Sequence, residues 1–241
     1  MRLQWWKDMV KTIFKEKEMG GDPQQLMTTF RNPVVGGLID VIFQRDLSIS
    51  WFNRIHQSRE EDVRSDDIRF QSIEDLERYA EFSASAFLYL IIEQAGFKGH
   101  HDLEHAASHL GKAMGILSLL RATPHHLSKR RCYLPIAVLS DHRLVAEHLF
   151  QGDPASLSKN EALSDAVFEL CSIAKLHLDS ARALGDKIPK DATSVLLSSV
   201  LADSLLDRFQ KGHFNVYDER LRQPSPMMQI ALWKHRLLKS F

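Results

Sequence analysis

Cysteine is scarce. Cys132 and Cys171 are the only two in 241 residues, and they form no C-x-x-C pair. A disulfide-stapled secreted fold is therefore not expected, and a reducing compartment is the default. An excess of one charge is also missing, because 31 Lys and Arg balance 31 Asp and Glu. A dedicated nucleic-acid binder usually carries a strong basic excess, so no nucleic-acid partner is expected. Long apolar runs are absent too. The longest, Phe82 to Ile92, is interrupted by Ser83 and Ser85 and stopped by Glu93, which is too short to cross a bilayer. Asp8, Glu16 and Glu18 break up the basic residues at the start, so those residues do not read as a transit peptide. No repeat, low-complexity stretch, Gly-rich phosphate loop or nucleophile–base arrangement can be named, and strand-like alternation is hard to find. What remains is the composition of an ordinary globular chain, 44% hydrophobic and 26% charged, long enough to bury a sizeable core.

Apolar residues recur at helical spacing almost throughout, which predicts one all-α domain over 1–241. One helix is expected from about Ser72 to Gly96, with Ile73, Leu76, Ala80, Ser83, Phe87, Leu90 and Ile91 on its inner face. Ser72 supplies the N-cap and Glu74 and Asp75 the first-turn acids. A second is expected from His101 to Leu120, with Leu103, Ala106, Leu110, Ala113, Leu117 and Leu120 inward and Thr123-Pro124 ending it. Further helices are predicted near 2–18, 24–31, 34–44, 47–57, 135–149, 160–184, 191–211 and 225–239, separated by turn residues such as Gly20-Gly21-Asp22-Pro23 and Asn32-Pro33.

Four features invite a chemical reading, each beside a plainer one. His101, His105 and His109 stack along one helical stripe and could hold a transition metal, although half-exposed histidines on an amphipathic helix explain them equally. Asp62 and Asp66 have a D-x-x-x-D spacing suited to magnesium on a diphosphate, but they sit in a mixed-charge run, Arg59 to Asp67, that reads as a solvated face or loop. Lys129-Arg130-Arg131 could bind a phosphate or anionic lipid, or be a surface cluster. The stretch Met227 to Phe241 could lie on an anionic membrane, or be a terminal helix docked on the core with a basic outer face. Gly111 and Gly115, with Ala106, Ala107 and Ala113, make one side of the second helix small, which implies close helix approach or one wall of a pocket.

A longer pattern adds to this reading. His109-Leu110-Gly111-Lys112-Ala113 through Leu120-Arg121-Ala122-Thr123-Pro124, followed by Arg130-Arg131-Cys132-Tyr133-Leu134-Pro135, resembles the second signature of the squalene/phytoene synthase family. Leu3-Gln4-Trp5-Trp6, Ser72-Ile73-Glu74-Asp75-Leu76 through Tyr79, and Phe214-Asn215-Val216-Tyr217 are similar to its other conserved segments. The resemblance implies an all-α isoprenoid-synthase bundle. It also places the helix of the family's first aspartate motif before Leu3, so the fold is expected to lack that N-terminal helix.

Departures from the family pattern carry the functional expectation. Ala122 and His126 stand where the second motif has its two acids, Ser118 replaces an Asn, and Gly115 a commonly polar residue. Alanine cannot ligate a metal, and imidazole is a poor ligand for hard magnesium. A loss of about 4 kcal/mol of charge stabilisation would slow ionisation of a diphosphate roughly a thousandfold. Asp62 and Asp66 align with a loop and are not expected to substitute. The chain is thus expected to be non-catalytic, with no metal and no cofactor. Its remnant pocket would comprise Tyr79, Ser83, Gly111, Gly115, Ser118, Arg121, Ala122, His126, Arg131 and Tyr133, which an anion or isoprenoid-like lipid could occupy. Ala106-Ala107-Ser108-His109 and Leu120 to Pro124 resemble most closely a non-catalytic branch of the family, assembly factors for respiratory NADH dehydrogenase (complex I). That likeness implies complex I subunits or intermediates as partners and a peripheral site on the matrix side of the mitochondrial inner membrane. The alternative is an active prenyl diphosphate transferase using Asp62, His125 and His126 as atypical ligands.

Overall fold

A computed structural model describes residues 2–65, 67–223, 226–238 and 241. Asp66, the second acid of the D-x-x-x-D pair, lies outside the described residues, as do Pro224 and Lys239. Among the described residues the secondary structure is helical apart from one isolated backbone bridge between Ile68 and Cys132.

The first three helices, α1 (Arg2–Glu18), α2 (Pro23–Phe30) and α3 (Pro33–Gln44), form a small lobe with its own core of Met9, Val10, Ile13, Phe14, Leu26, Val35, Ile39, Ile42 and Leu47. Proline at the first turn of α2 and α3, preceded by the side-chain caps Asp22 and Asn32, fixes where each begins. Helix α4 (Ile49–Arg64) joins this lobe to the main bundle. It runs seven residues past its expected end at 57, so the mixed-charge run is helical as far as Arg64, and the expectation of a loop there is corrected. The cause is Asp62. It turns inward, 9% exposed, onto partners from other elements that the local charge pattern does not reveal.

The next segment is α5 (Ile73–Ala80), a π turn (Glu81–Ser85) and α6 (Ala86–Gln94), continuous as one helical run. A π turn inserts one extra residue and so rotates everything after it by about 100°. The expected inner face is accordingly shifted by one position. Phe87 and Ile91 are exposed, while Leu88, Tyr89 and Ile92 are buried.

Helix α7 (His101–Leu127) is the axis of the main core, and every residue expected inward on it is buried. It does not stop at Thr123-Pro124. Pro124 falls in the last turn, where it forfeits one donor, and the helix continues to Leu127. The expected helix at 135–149 is two, α8 (Ile136–Asp141) and α9 (Ala146–Gln151). Arg143 between them adopts a left-handed φ of 54°, and the Leu144 N–H bonds back to Leu139 O at 2.7 Å, a helix-ending turn normally built on glycine. The short α10 (Pro154–Leu157) leads into α11 (Glu161–Ala183), which packs along α7. A 3₁₀ turn then precedes α12 (Ser198–Lys211), and α13 (Pro226–Leu238) lies on α12.

Candidate functional site

The small residues of α7 decide how close its neighbours come. Gly111 faces the backbone and hydroxyl of Ser85 so tightly that a methyl would overlap both, and a Cβ on Gly115 would lie 2.6 Å from the Ala80 Cβ. Ser85 Oγ donates to the Ser108 carbonyl across the same contact, at 3.0 Å. The close approach and the pocket wall read from these glycines are both present. Beside these contacts α7 contributes Gly111, Met114, Gly115, Ser118 and Leu119 to a cleft of about 400 Å³. Its other walls are Tyr79, Ser83, Ala84, Phe87 and Leu88, with Arg59 of α4 and Ser198 of α12.

The polar end of the cleft is organised by Asp62. Its Oδ2 accepts from the Tyr79 hydroxyl at 2.8 Å and from Arg59 Nη1 at 3.2 Å, and its Oδ1 accepts from the Tyr133 hydroxyl at 3.4 Å. Arg69 Nε adds an ion pair at 3.5 Å. Arg59 also donates to the Tyr79 oxygen at 2.8 Å, and Arg131 donates to the Asp62 carbonyl at 3.2 Å. Burial, with Asp62 beside it, pushes the Tyr79 phenol well above the ordinary tyrosine range, and Tyr133 is raised for the same reasons. Both phenols therefore keep their protons and donate. His126 packs against Tyr133 with ring centroids 4.4 Å apart. Its pKa is lowered by burial and by neighbouring His125, with Asp62 opposing.

The expected pocket residues thus divide. Tyr79, Ser83, Gly111, Gly115 and Ser118 share the cleft, while Tyr133, His126 and Arg131 gather around Asp62, with Tyr79 belonging to both sets. Arg121 is exposed and lines two other cavities, one with His125 and Tyr217 and one with Arg208 and Met228. Half-buried Ala122 offers no polar side-chain atom. Sequence reasoning missed Arg59 and Asp62 as a working pair. Their i, i+3 spacing would have revealed them had the run been taken as helix.

The other flagged features resolve as follows. His105 and His109 have ring centroids 4.9 Å apart. Helix α11 brings His177 Nδ1 to 2.9 Å from His109 Nδ1, and Glu77 lies 3.3 Å from the other nitrogen of His177. His101 is exposed. In the basic triplet Arg130 pairs with Glu147 at 2.9 Å and Asp67 at 3.3 Å. Burial raises the Cys132 thiol to about 11 and Cys171 to about 12, so neither is a thiolate at neutral pH.

Magnesium on a diphosphate needs several hard oxygen donors facing one point. Among the described residues no three His, Cys, Asp or Glu side chains converge in that way. The carboxylate at the polar end of the cleft, Asp62, has both oxygens engaged by tyrosines and arginines. The described residues do not fit such a site.

The family model described as squalene/phytoene synthase matches residues 1–229. A Dictyostelium discoideum protein named NADH dehydrogenase (ubiquinone) complex I, assembly factor 6 homolog is 36% identical over 241 residues, all of this chain and 63% of the relative. The Rattus norvegicus assembly factor 6 is 33% identical over 97% of this chain and 64% of its own length, and the Homo sapiens one 31% over 100% and 67%. The chain thus spans a little under two thirds of the first two relatives. Among solved structures, a squalene synthase from Alicyclobacillus acidocaldarius superposes with TM-score 0.72 at 16% identity, over 88% of this chain and 74% of that one. A dehydrosqualene synthase superposes with TM-score 0.71 at 17%, over 97% and 86%. At those identities the likeness is one of fold.

Proposed function

The chain belongs to the squalene/phytoene synthase family, and on that premise we propose that it is a non-catalytic member that assists assembly of mitochondrial respiratory complex I. The observation that carries the reading is the state of Asp62. Its carboxylate serves as a structural acceptor for Tyr79, Arg59 and Tyr133 instead of holding a metal. Ala122 and His126 supply no further oxygen donor, and apart from Arg59, whose guanidinium is engaged by Asp62 and Tyr79, the cleft walls are apolar or carry only hydroxyls. Such a cleft can seat an isoprenoid-like lipid, but it lacks the groups to neutralise a departing diphosphate. The names of the relatives at 31–36% identity supply the process.

The partners are complex I subunits or assembly intermediates, and the place of action is the matrix face of the inner membrane. Among the described residues no helix is long and apolar enough to cross a membrane, which accords with peripheral attachment. No cofactor and no nucleic acid enter this reading. Deleting the gene should lower fully assembled complex I on native gels, and re-expression should restore it. Purified protein with magnesium should not turn over prenyl diphosphates, and Ala122→Asp should not create that activity. Turnover at ordinary synthase rates, or normal complex I in the deletion strain, would overturn the proposal.

A further inference from the structure

Helix α13 is apolar on two sides. Met228, Ala231, Leu232 and His235 are half-buried on the side that meets the core. The outward side carries Met227, Ile230, Trp233, Leu237 and Leu238, exposed at 66%, 61%, 65%, 73% and 64%. Five large apolar side chains this exposed on one 13-residue helix form the densest such patch among the described residues. Scattered exposed hydrophobics are normal, but a continuous patch marks a surface that something covers.

The charges on the helix indicate what covers it. It contains no acidic residue, and its exposed cations, Lys234 and Arg236, make no ion pair among the described residues. Lys234 rises within the apolar stripe and Arg236 stands at its edge, where long side chains can reach headgroups while their stems stay in apolar surroundings. Trp233 adds a ring with one polar N–H, the side chain favoured at the boundary between hydrocarbon and headgroups. A protein partner would need matching acids. An anionic bilayer supplies negative charge and an apolar layer at once.

We infer that the outward face of α13 is a membrane-docking surface that inserts Ile230, Trp233 and Leu237 into an anionic bilayer, with Lys234 and Arg236 at the headgroups. The inference rests on the peripheral attachment proposed above and names the surface that makes it. The same helix contributes Met228 and Gln229 to the cavity that also contains Arg121. That cavity and the apolar cleft share Met114 and Ser118 as lining. A bilayer seated on α13 therefore lies close to the mouth of the lipid-sized space.

Co-sedimentation of the full chain with vesicles tests this, using phosphatidylcholine alone and phosphatidylcholine with a quarter cardiolipin. Binding is expected only to the anionic vesicles, to weaken at high salt, and to drop at least tenfold in both W233E/L237E and K234E/R236E. Leu176→Glu, which changes an equally exposed apolar residue on α11, should bind as the unaltered protein does. Circular dichroism checks that each variant is folded. Equal binding to neutral vesicles would overturn the charge assignment. Anionic binding that survives both double variants would overturn the helix assignment while leaving peripheral attachment standing. No vesicle binding at all, with W233E/L237E failing to restore complex I in the deletion strain, would mean that a protein covers the helix. The assembly role itself would then stand without the membrane surface.

Discussion

The two flanks of α7 are built to different standards. Toward α5, the π turn and α6 the helix presents glycines, and the backbones meet with no room for a methyl. Beside that contact the same helix presents Met114 and Ser118 to two spaces of about 400 Å³ each, one walled also by Tyr79, Ser83 and Phe87 and one by α12 and α13. Close packing of that first kind tolerates almost no change in volume, whereas an open wall can change freely. The difference separates what the fold needs from what a ligand or partner could use. The tight flank is architecture, and the open flank is where a function that varies within one fold would be located.

Breaking the tight flank should have the largest effect. Gly111→Ala drives a methyl into the Ser85 backbone, which cannot yield as a flexible side chain would, and should cost about 3 kcal/mol in urea unfolding. Gly115→Ala meets the Ala80 methyl first and should cost about half as much. A Gly111→Ala protein as stable as the parent would remove the contrast altogether. Next comes the polar end of the cleft. Asp62→Asn removes the counter-charge of Arg59 and one of the two facing Arg69, which keeps Glu61 at 2.8 Å, and should cost about 2 kcal/mol. Tyr79→Phe deletes one donor and should cost about 1 kcal/mol.

A smaller effect is expected from pH. The pKa values of His109 and His126 are lowered on folding, chiefly by burial. The unfolded chain then binds these protons more readily, so stability is complete above about pH 6.5, the unfolded value, and falls as pH drops through it. Thermal unfolding at pH 7.5 and 5.5 should show the loss, and His109→Gln should reduce it. The smallest change belongs to the open flank. Ser118→Leu should alter stability by less than about 0.5 kcal/mol, yet abolish uptake of a fluorescent isoprenoid analogue by filling the cleft. A large destabilisation there would show that the open flank is structural as well.

Much of this was legible before any coordinates. The inward residues of α7 follow from spacing alone, because leucine and alanine at 103, 106, 110, 113, 117 and 120 leave only one face to bury. The cap at Ser72 was equally plain, whereas Asp22 and Asn32, which cap α2 and α3, read only as turn residues. The phase of α6 was not, since the extra residue of the π turn accompanies docking against Gly111, a neighbour distant in sequence. Asp62 was misjudged for a related reason. Its partners Tyr79 and Tyr133 lie 17 and 71 residues away, and a charge pattern read within nine residues cannot show them. The break at Arg143 escaped because a left-handed arginine carries no compositional signal where glycine would. For the candidate site, Tyr79, Ser83, Gly111, Gly115 and Ser118 were named, but not Arg59, Met114 or Ser198 beside them, nor the division between the cleft and the Asp62 cluster.

The π turn also governs something farther away. Beyond it, Glu93 on α6 is turned toward the start of α4, where its carboxylate accepts from the Ser48 N–H at 2.7 Å, the Ser48 hydroxyl at 2.6 Å and the Trp51 indole N–H at 2.9 Å. These bonds help fasten the lobe formed by residues 2–47 to the rest of the molecule. Deleting one amino acid between 81 and 85 would return the run to an ordinary α-helix and turn Glu93 away by roughly a quarter of a revolution. A single codon in the middle of one helix thus bears on how firmly the first fifth of the chain is held.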